Sequence, residues 1–500
     1  MSPQLLRLPR FAAPRRILRA SVALAAAFLS FSAAPLRAAT ASTAAPPRPN
    51  IVLILSDDHG WADVGWHGTE IKTPHLDKLA AAGARLEQFY VQPVCSPTRA
   101  ALMTGRYPMR HGLQVGVVRP WAQYGLPLEE RTLPQMLREA GYTTAITGKW
   151  HLGHFTPDYL PTHRGFDHQY GHYNGALDYF THARDGGHDW HRDDKVNRDE
   201  GYSTFLIAQE AARLIREKPA DKPLFLYVPF NAVHAPHQVP DKYKEPYAAL
   251  AEPRRTYAGM VAAEDEAIGQ IVAAIEAKGL RDNTLFIWSS DNGGPSPGRV
   301  TSNGPLRAGK GTLYEGGVRV PAFATLPSRI KPGTVVHAPI HLVDWFPTLG
   351  KLAGASLTQK LPLDGRDVWP CIVDAQPTPH DAILLNTTPN NGAIRMGDWK
   401  LVVNGSYVES EDGDPANLTE EAAKKKAAKK KQPAKQGAVP VELFDLSKDP
   451  YEKTSLATAH PEKVKELRAR LDAFAKDAVA PKSAPRPTGF IVPKVWGEQN

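Results

Sequence analysis

Short runs of Ile, Val and Leu that stop abruptly at charged or polar residues recur along this chain, with segments of helical spacing between them. The first, residues 50–58, reads NIVLILSDD. A continuous apolar run of this length suits a strand covered on both faces, as in a parallel sheet. Residues 143–148 (TTAITG), 224–230 (LFLYVPF) and 284–290 (TLFIWSS) repeat the design. The intervening stretches carry helix signals. Thr73-Pro74 opens one that is expected to close at Gly83, and Thr132 opens another with Pro134 early and Gly141 as its stop. Further helices are expected near residues 204–218 and over 257–278. This alternation predicts the α/β class: a doubly wound, mostly parallel sheet with helices on both faces.

Polar groups follow the strands in a consistent way. Asp57 and Asp58 come after the first, Lys149 and His151 after the strand near 148, His234 after the strand near 230, and Asp291 and Asn292 after Ser290. In open parallel sheets, sites form beyond the carboxyl ends of the strands. Four distant segments therefore deliver charge to one edge.

Past about residue 385 the pattern changes. Residues 394–403 and 441–450 read as strands of an antiparallel sheet, and 461–478 has helical spacing. A catalytic segment over 48–385 is expected, then a smaller α+β subdomain over 386–490 with a low-complexity lysine-rich loop at 420–436. Residues 1–41 combine a basic start, an uncharged run over 20–34 and small residues at 39–41. That is the form of a signal peptide, and the run is too short to span a bilayer. Export to the periplasm or beyond is expected; Arg15-Arg16 does not decide the route.

The net charge of +8 is local. Six arginines and no acid lie within residues 1–41, and seven lysines lie between 424 and 435. Neither a nucleic-acid surface nor a membrane span is implied. Of the two cysteines, Cys371 reads as a small buried hydrophobe. Cys95 sits at the start of a helix expected over 97–103, where unpaired N–H groups favour an anion.

Cys95-Ser96-Pro97-Thr98-Arg99 has the form C-x-P-x-R, and residues 141–153 read GYTTAITGKWHLG. With SSDNGGP at 289–295 and LRAGKGTLYEGGVRVP at 306–321, the chain resembles type I sulfatases of the alkaline phosphatase superfamily. The nearest likeness is to arylsulfatase B, an N-acetylgalactosamine-4-sulfatase. The resemblance implies that a separate formylglycine-generating enzyme oxidises Cys95 to formylglycine before folding. One hydroxyl of the hydrated aldehyde then attacks the sulfur of a sulfate ester, and loss of a proton from the other expels sulfate. It further implies that Arg99 holds that group, that Lys149 and Lys310 bind sulfate, that His151 takes a proton and that His234 gives one to the leaving oxygen.

Asp57, Asp58, Asp291 and Asn292 supply only oxygen, which favours Ca²⁺ or Mg²⁺ over zinc. The resemblance favours one Ca²⁺, with modified Cys95 completing the set. The expected substrate is a sulfated saccharide or aryl sulfate. Two other readings stand beside it: a phosphate or phosphonate ester hydrolase on the same fold, and a receptor for sulfated glycans in which Cys95 stays a thiol. Tyr314, Glu315 and Arg319 read as support behind Lys310. The aromatic-rich segment 166–192 fits a sugar pocket or an ordinary covering loop equally well.

Overall fold

The computed structural model describes residues 47–405, 439–483 and 485–498. The expected signal peptide and lysine-rich loop lie outside the described residues. Residues from Pro47 onward form one compact unit. None of its described helices is long and apolar enough to cross a membrane.

A ten-stranded sheet forms the centre. Across it, the strands run Thr334–Val336, Ala84–Leu86, Ala322–Thr325, Thr284–Ser290, Asn50–Ser56, Leu224–Pro229, Thr143–Lys149, His168–His172, His191–Arg192 and Lys195–Val196. The five strands from Thr284–Ser290 to His168–His172 are mutually parallel. Antiparallel partners flank this block on both sides.

The unbroken apolar run of the first strand has a direct cause. Ile51, Leu53 and Leu55 enter one core layer, while Val52 and Ile54 enter the other. Each such side chain contributes roughly 1.5–3 kcal/mol on burial. Helices Ser203–Glu217 and Arg254–Ala277 cover one face through Ile207, Ala211, Val261 and Ile268. Helices Cys95–Thr104, Leu133–Glu139 and Trp345–Ala353 cover the other through Leu102, Met136 and Phe346.

Local signals hold with small corrections. Thr132 and Gln135 form a reciprocal capping box at the start of Leu133–Glu139. Thr73 makes no such cap: its hydroxyl accepts from the Gly65 N–H and donates to Asp77, and the helix ends at Ala81, short of Gly83. The helix expected from Tyr257 begins three residues earlier, at Arg254. The Cys95 helix begins at Cys95 itself, two residues before Pro97.

A separate antiparallel sheet runs Ile383–Thr387, Gly392–Met396, Trp399–Val403, Val441–Asp445. Leu467 and Leu471 of helix Pro461–Lys476 pack on one face. Tyr90, Leu313 and Val318 pack on the other. Buried Lys400 of this sheet lies 2.8 Å from both Glu315 and Glu452, and the Tyr90 hydroxyl donates to Glu315 at 2.9 Å. Glu315 is thereby tied to the antiparallel sheet.

Candidate active site

Register brings the strand ends level. Ser56 is opposite Ser290 and Leu55 is opposite Pro229, so the residues that follow emerge side by side. The Asp291 N–H donates to the Ser56 carbonyl at 3.0 Å. The Asp57 N–H donates to Ala232 O at 2.9 Å and the Val233 N–H to Asp57 O at 2.8 Å, which fixes the loop carrying His234 against Asp57. Gly148 makes the next approach possible: a Cβ there would lie 1.9 Å from Pro229 O, and its φ is +130°. Lys149 follows directly. Asp58 (φ 65°) and His151 (φ 57°) are in the left-handed region, a strain seen at functional sites.

The Cys95–Thr104 helix points its first residue into this edge, and all ten of its residues are buried. Cys95 Sγ lies 3.4 Å from Asp57 Oδ1 and 3.5 Å from Asn292 Oδ1. A thiol has one hydrogen, so it can serve only one of these two oxygens at a time. Arg99, one turn on, sets Nη2 3.2 Å from Asp57 and 2.9 Å from Asp291, and Nη1 3.2 Å from Lys149 O. The Lys149 amine donates to Asp57 Oδ2. Lys310 donates to Asp58 at 2.8 Å, and His234 Nε2 is 3.6 Å from the same carboxylate. Asn292 Nδ2 donates to Asp58 Oδ1 at 2.6 Å.

Three carboxylates thus face three cations in a site closed to solvent. Burial opposes charge on Asp57, yet Lys149, His234, Arg99 and Lys310 together hold its carboxyl well below the usual range. Burial, with Asp291 and Asp57 nearby, pushes the Cys95 thiol well above its usual range. Burial would release the proton of Lys149, but Asp57 holds it in place more firmly than in water.

The structure brings together Asp57, Asp58, Cys95, Arg99, Lys149, His234, Asp291, Asn292 and Lys310. His151 lies in the loop after strand Thr143–Lys149. Its carbonyl accepts from the Ser96 hydroxyl at 2.9 Å, while its Nε2 lies 3.2 Å from Val118 O. Asp57, Asp58, Cys95 and His234 each present a donor atom within 4.8 Å of the others. His234, expected to transfer a proton, therefore also lies at the candidate cation position.

Several supports escaped the sequence reading. Ser96 accepts from the Val118 N–H at 3.0 Å and so locks the segment beside Cys95. The Tyr179 hydroxyl reaches Asn231 O at 2.6 Å and His234 O at 2.7 Å, which makes part of the 166–192 segment a scaffold for His234. Ser290 accepts from the His59 N–H at 2.9 Å. None of these has a signal in local pattern, because each depends on a partner far away in the chain. His163 stands apart, beside Asp194. Cys371 is buried, and neither cysteine is in a disulfide.

The sulfatase family profile matches residues 49–355. Arylsulfatase J of Mus musculus is 39% identical over 490 residues, covering 91% of this chain and 81% of its own length. Arylsulfatase A of Homo sapiens is 36% identical, covering 88% and 91% respectively. N-acetylgalactosamine-6-sulfatase of Homo sapiens is 35% identical, covering 67% and 68%. The crystal structure of Ps i-CgsB in complex with k-i-k-neocarrahexaose superposes with a TM-score of 0.75 at 31% identity, covering 87% of this chain and 94% of that one. The arylsulfatase B likeness is not singled out among these relatives. The matched span holds every residue gathered at the carboxyl edge, and on these grounds the chain belongs to the sulfatase family and is a sulfuric ester hydrolase.

Proposed function

We propose that this enzyme removes sulfate from a sulfated saccharide, using a formylglycine made from Cys95 beside one bound Ca²⁺. The observation that carries this reading is the convergence of Asp57 Oδ1 and Asn292 Oδ1 on Cys95 Sγ, inside a buried ring of three carboxylates and three cations. A soft, neutral thiol is a poor partner for two hard oxygens, whereas an oxygen function and a hard cation suit them.

The donors fit the ion. Asp57, Asp58, Asp291 and Asn292 would hold it with the modified Cys95, and His234 stands within reach. A bound Ca²⁺ supplies positive charge that offsets carboxylate repulsion and polarises a sulfate oxygen. A hydrated aldehyde at position 95 would supply one hydroxyl, as its oxyanion, to displace the alcohol at sulfur, and a second whose deprotonation would break the C–O bond to sulfate and restore the aldehyde for rehydration by water.

The chain's own residues do the rest. Arg99 anchors the helix start between Asp57 and Asp291. Lys149 and Lys310 are compact charges for the sulfate oxygens. His234 gives a proton to the departing alcohol oxygen, and His151 accepts one from the group at position 95. The buried walls exclude water from an attack that water would otherwise compete for.

One relative is named for the 6-sulfate of N-acetylgalactosamine, and a fold neighbour was solved with neocarrahexaose. The motif resemblance to arylsulfatase B is the sole ground for extending the reading to the 4-sulfate of N-acetylgalactosamine in a glycosaminoglycan. The reading includes export to the periplasm or beyond, and maturation by a formylglycine-generating enzyme. It is tested on protein matured with that enzyme, by sulfate release from defined 4- and 6-sulfated disaccharides beside aryl sulfate and aryl phosphate. Release of sulfate from a saccharide is expected. Faster hydrolysis of the phosphate ester, or aryl sulfate turnover with every saccharide refused, would overturn it.

A further inference from the structure

A groove of about 450 Å³ lies at the junction of three segments: 120–123, 154–156 and the C-terminal tail 487–498. Two of these segments begin at the reactive edge. Val117 packs against Cys95, and Val118 holds both Ser96 and His151; three residues later Trp121 lines the groove. Three residues span at most about 11 Å. From the other side, His151 leads in three residues to His154, whose ring meets Trp496 edge-on at 5.6 Å.

The tail is built into place. The Val479 N–H donates to Met109 O and the Lys482 N–H to Gly112 O. The His188 N–H donates to Lys494 O, the Trp496 N–H returns to His188 O, and the Trp496 indole donates to Arg184 O at 2.9 Å. Gly497 lies close over the Tyr173 ring, where a Cβ would come within 2.6 Å.

The walls are aromatic with a few polar groups. Phe490 stacks on Trp496 at 6.2 Å and meets Trp121 at 6.4 Å, and the Arg486 guanidinium sits 5.7 Å from both Trp121 and Phe490. Phe155 is 48% exposed and Ile491 83% exposed on its rim. Aromatic side chains lining the groove beside Gln123, Thr156 and Glu498 suit a ligand with apolar C–H faces and hydroxyl edges. A pyranose ring is such a ligand. A fully apolar partner would leave Gln123, Thr156 and Glu498 of the lining without use.

We propose that this groove is a saccharide subsite, walled by Trp121 and Phe490, that holds the sugar ring next to the sulfated one and makes the C-terminal tail a determinant of specificity. The assignment rests on the saccharide reading above.

The test compares wild type with Trp121→Ala, Trp121→Phe, Phe490→Ala and Arg486→Ala in the full-length matured enzyme. The substrates are an aryl sulfate, an N-acetylgalactosamine sulfate monosaccharide, and sulfated glycosaminoglycan di- and tetrasaccharides. For the longer saccharides KM is expected to rise roughly 3- to 10-fold with each ring removed, with Trp121→Phe close to wild type. Rates on aryl sulfate and on the monosaccharide are expected to stay within about twofold, which also shows that the variants fold. Equal effects on all substrates, or none on any, would overturn the subsite and leave the saccharide reading intact.

Calorimetric titration in a Cys95→Ala background gives a readout that needs no turnover. Affinity is expected to increase from mono- to tetrasaccharide, and Trp121→Ala to abolish that increase. No dependence on length in the parent protein would overturn the subsite. Failure to bind any sulfated saccharide would overturn the saccharide reading with it.

Discussion

Arg99 Nη2 lies 2.9 Å from Asp291 Oδ2, joining the helix that begins at Cys95 to the end of strand Thr284–Ser290. The same nitrogen reaches Asp57 on the neighbouring strand at 3.2 Å. One guanidinium therefore sets the distance between the reactive position and two of the carboxylates around it.

Removing Arg99 leaves Asp57 and Asp291 short of compensation in a site closed to water. Arg99→Ala is expected to cost about 3–5 kcal/mol of stability. Turnover should fall about a hundredfold or more. Urea melts and aryl sulfate kinetics check both. Arg99→Lys should recover part of the stability but little of the activity, because a point charge cannot span both carboxylates.

The buried triad of Lys400, Glu315 and Glu452 gives the contrasting case. Lys400→Met removes the cation that the two acids share, leaving Arg319 3.5 Å from Glu315. A loss of about 3–5 kcal/mol is expected by thermal melting. Per folded molecule, KM for aryl sulfate should stay near wild type, since the triad ties the antiparallel sheet to Glu315 and supplies none of the charges gathered around Cys95.

The proposed Ca²⁺ among the oxygen donors around Cys95 predicts a response to calcium. Chelation should lower both the melting temperature and activity, and Ca²⁺ should restore them. At a hundredfold excess over its dissociation constant the ion contributes about 2.7 kcal/mol. Asp58→Asn should blunt this response. Unchanged melting after chelation would count against a structural ion.

His341 links stability to acid. Burial drives its pKa down to about 3, aided by His380, and its Nδ1 accepts the Val343 N–H at 3.2 Å. The folded state thus refuses a proton that the unfolded chain takes up near pH 6.5. The stabilisation is complete above that pH and is lost as pH falls toward 3, by about 1.4 kcal/mol per pH unit. His341→Asn keeps an acceptor for Val343 and should flatten that slope by one proton's worth in melts between pH 6 and 4.

The strands and the edge they serve were legible because two simple rules act locally. A strand buried on both faces must be apolar throughout, so residues 50–56 declared themselves, and the acids could only follow at 57 and 58. The C-x-P-x-R run then identified which helix start faces them. What could not be read is what depends on the return of a distant segment. Tyr179 steadies His234 from 55 residues away. Ser96 fixes His151 across an equal gap. Lys400 reaches back 85 residues to Glu315. Helix starts were off by two or three residues at Cys95 and Arg254, since contacts with distant segments, such as Arg254 with Asp63 and Cys95 with Asp57, extend a helix past its local start signals. Thr73 had the right residue type for a cap, but Gly65 and Asp77 competed for its hydroxyl.

The central claim is the chemical state of position 95 in active enzyme, and mass spectrometry of the peptide that carries it, from protein matured in its native host, reads that state directly. An aldehyde in place of the thiol, in proportion to specific activity, is the expected result. Fully active protein whose Cys95 is still an alkylatable thiol would contradict it.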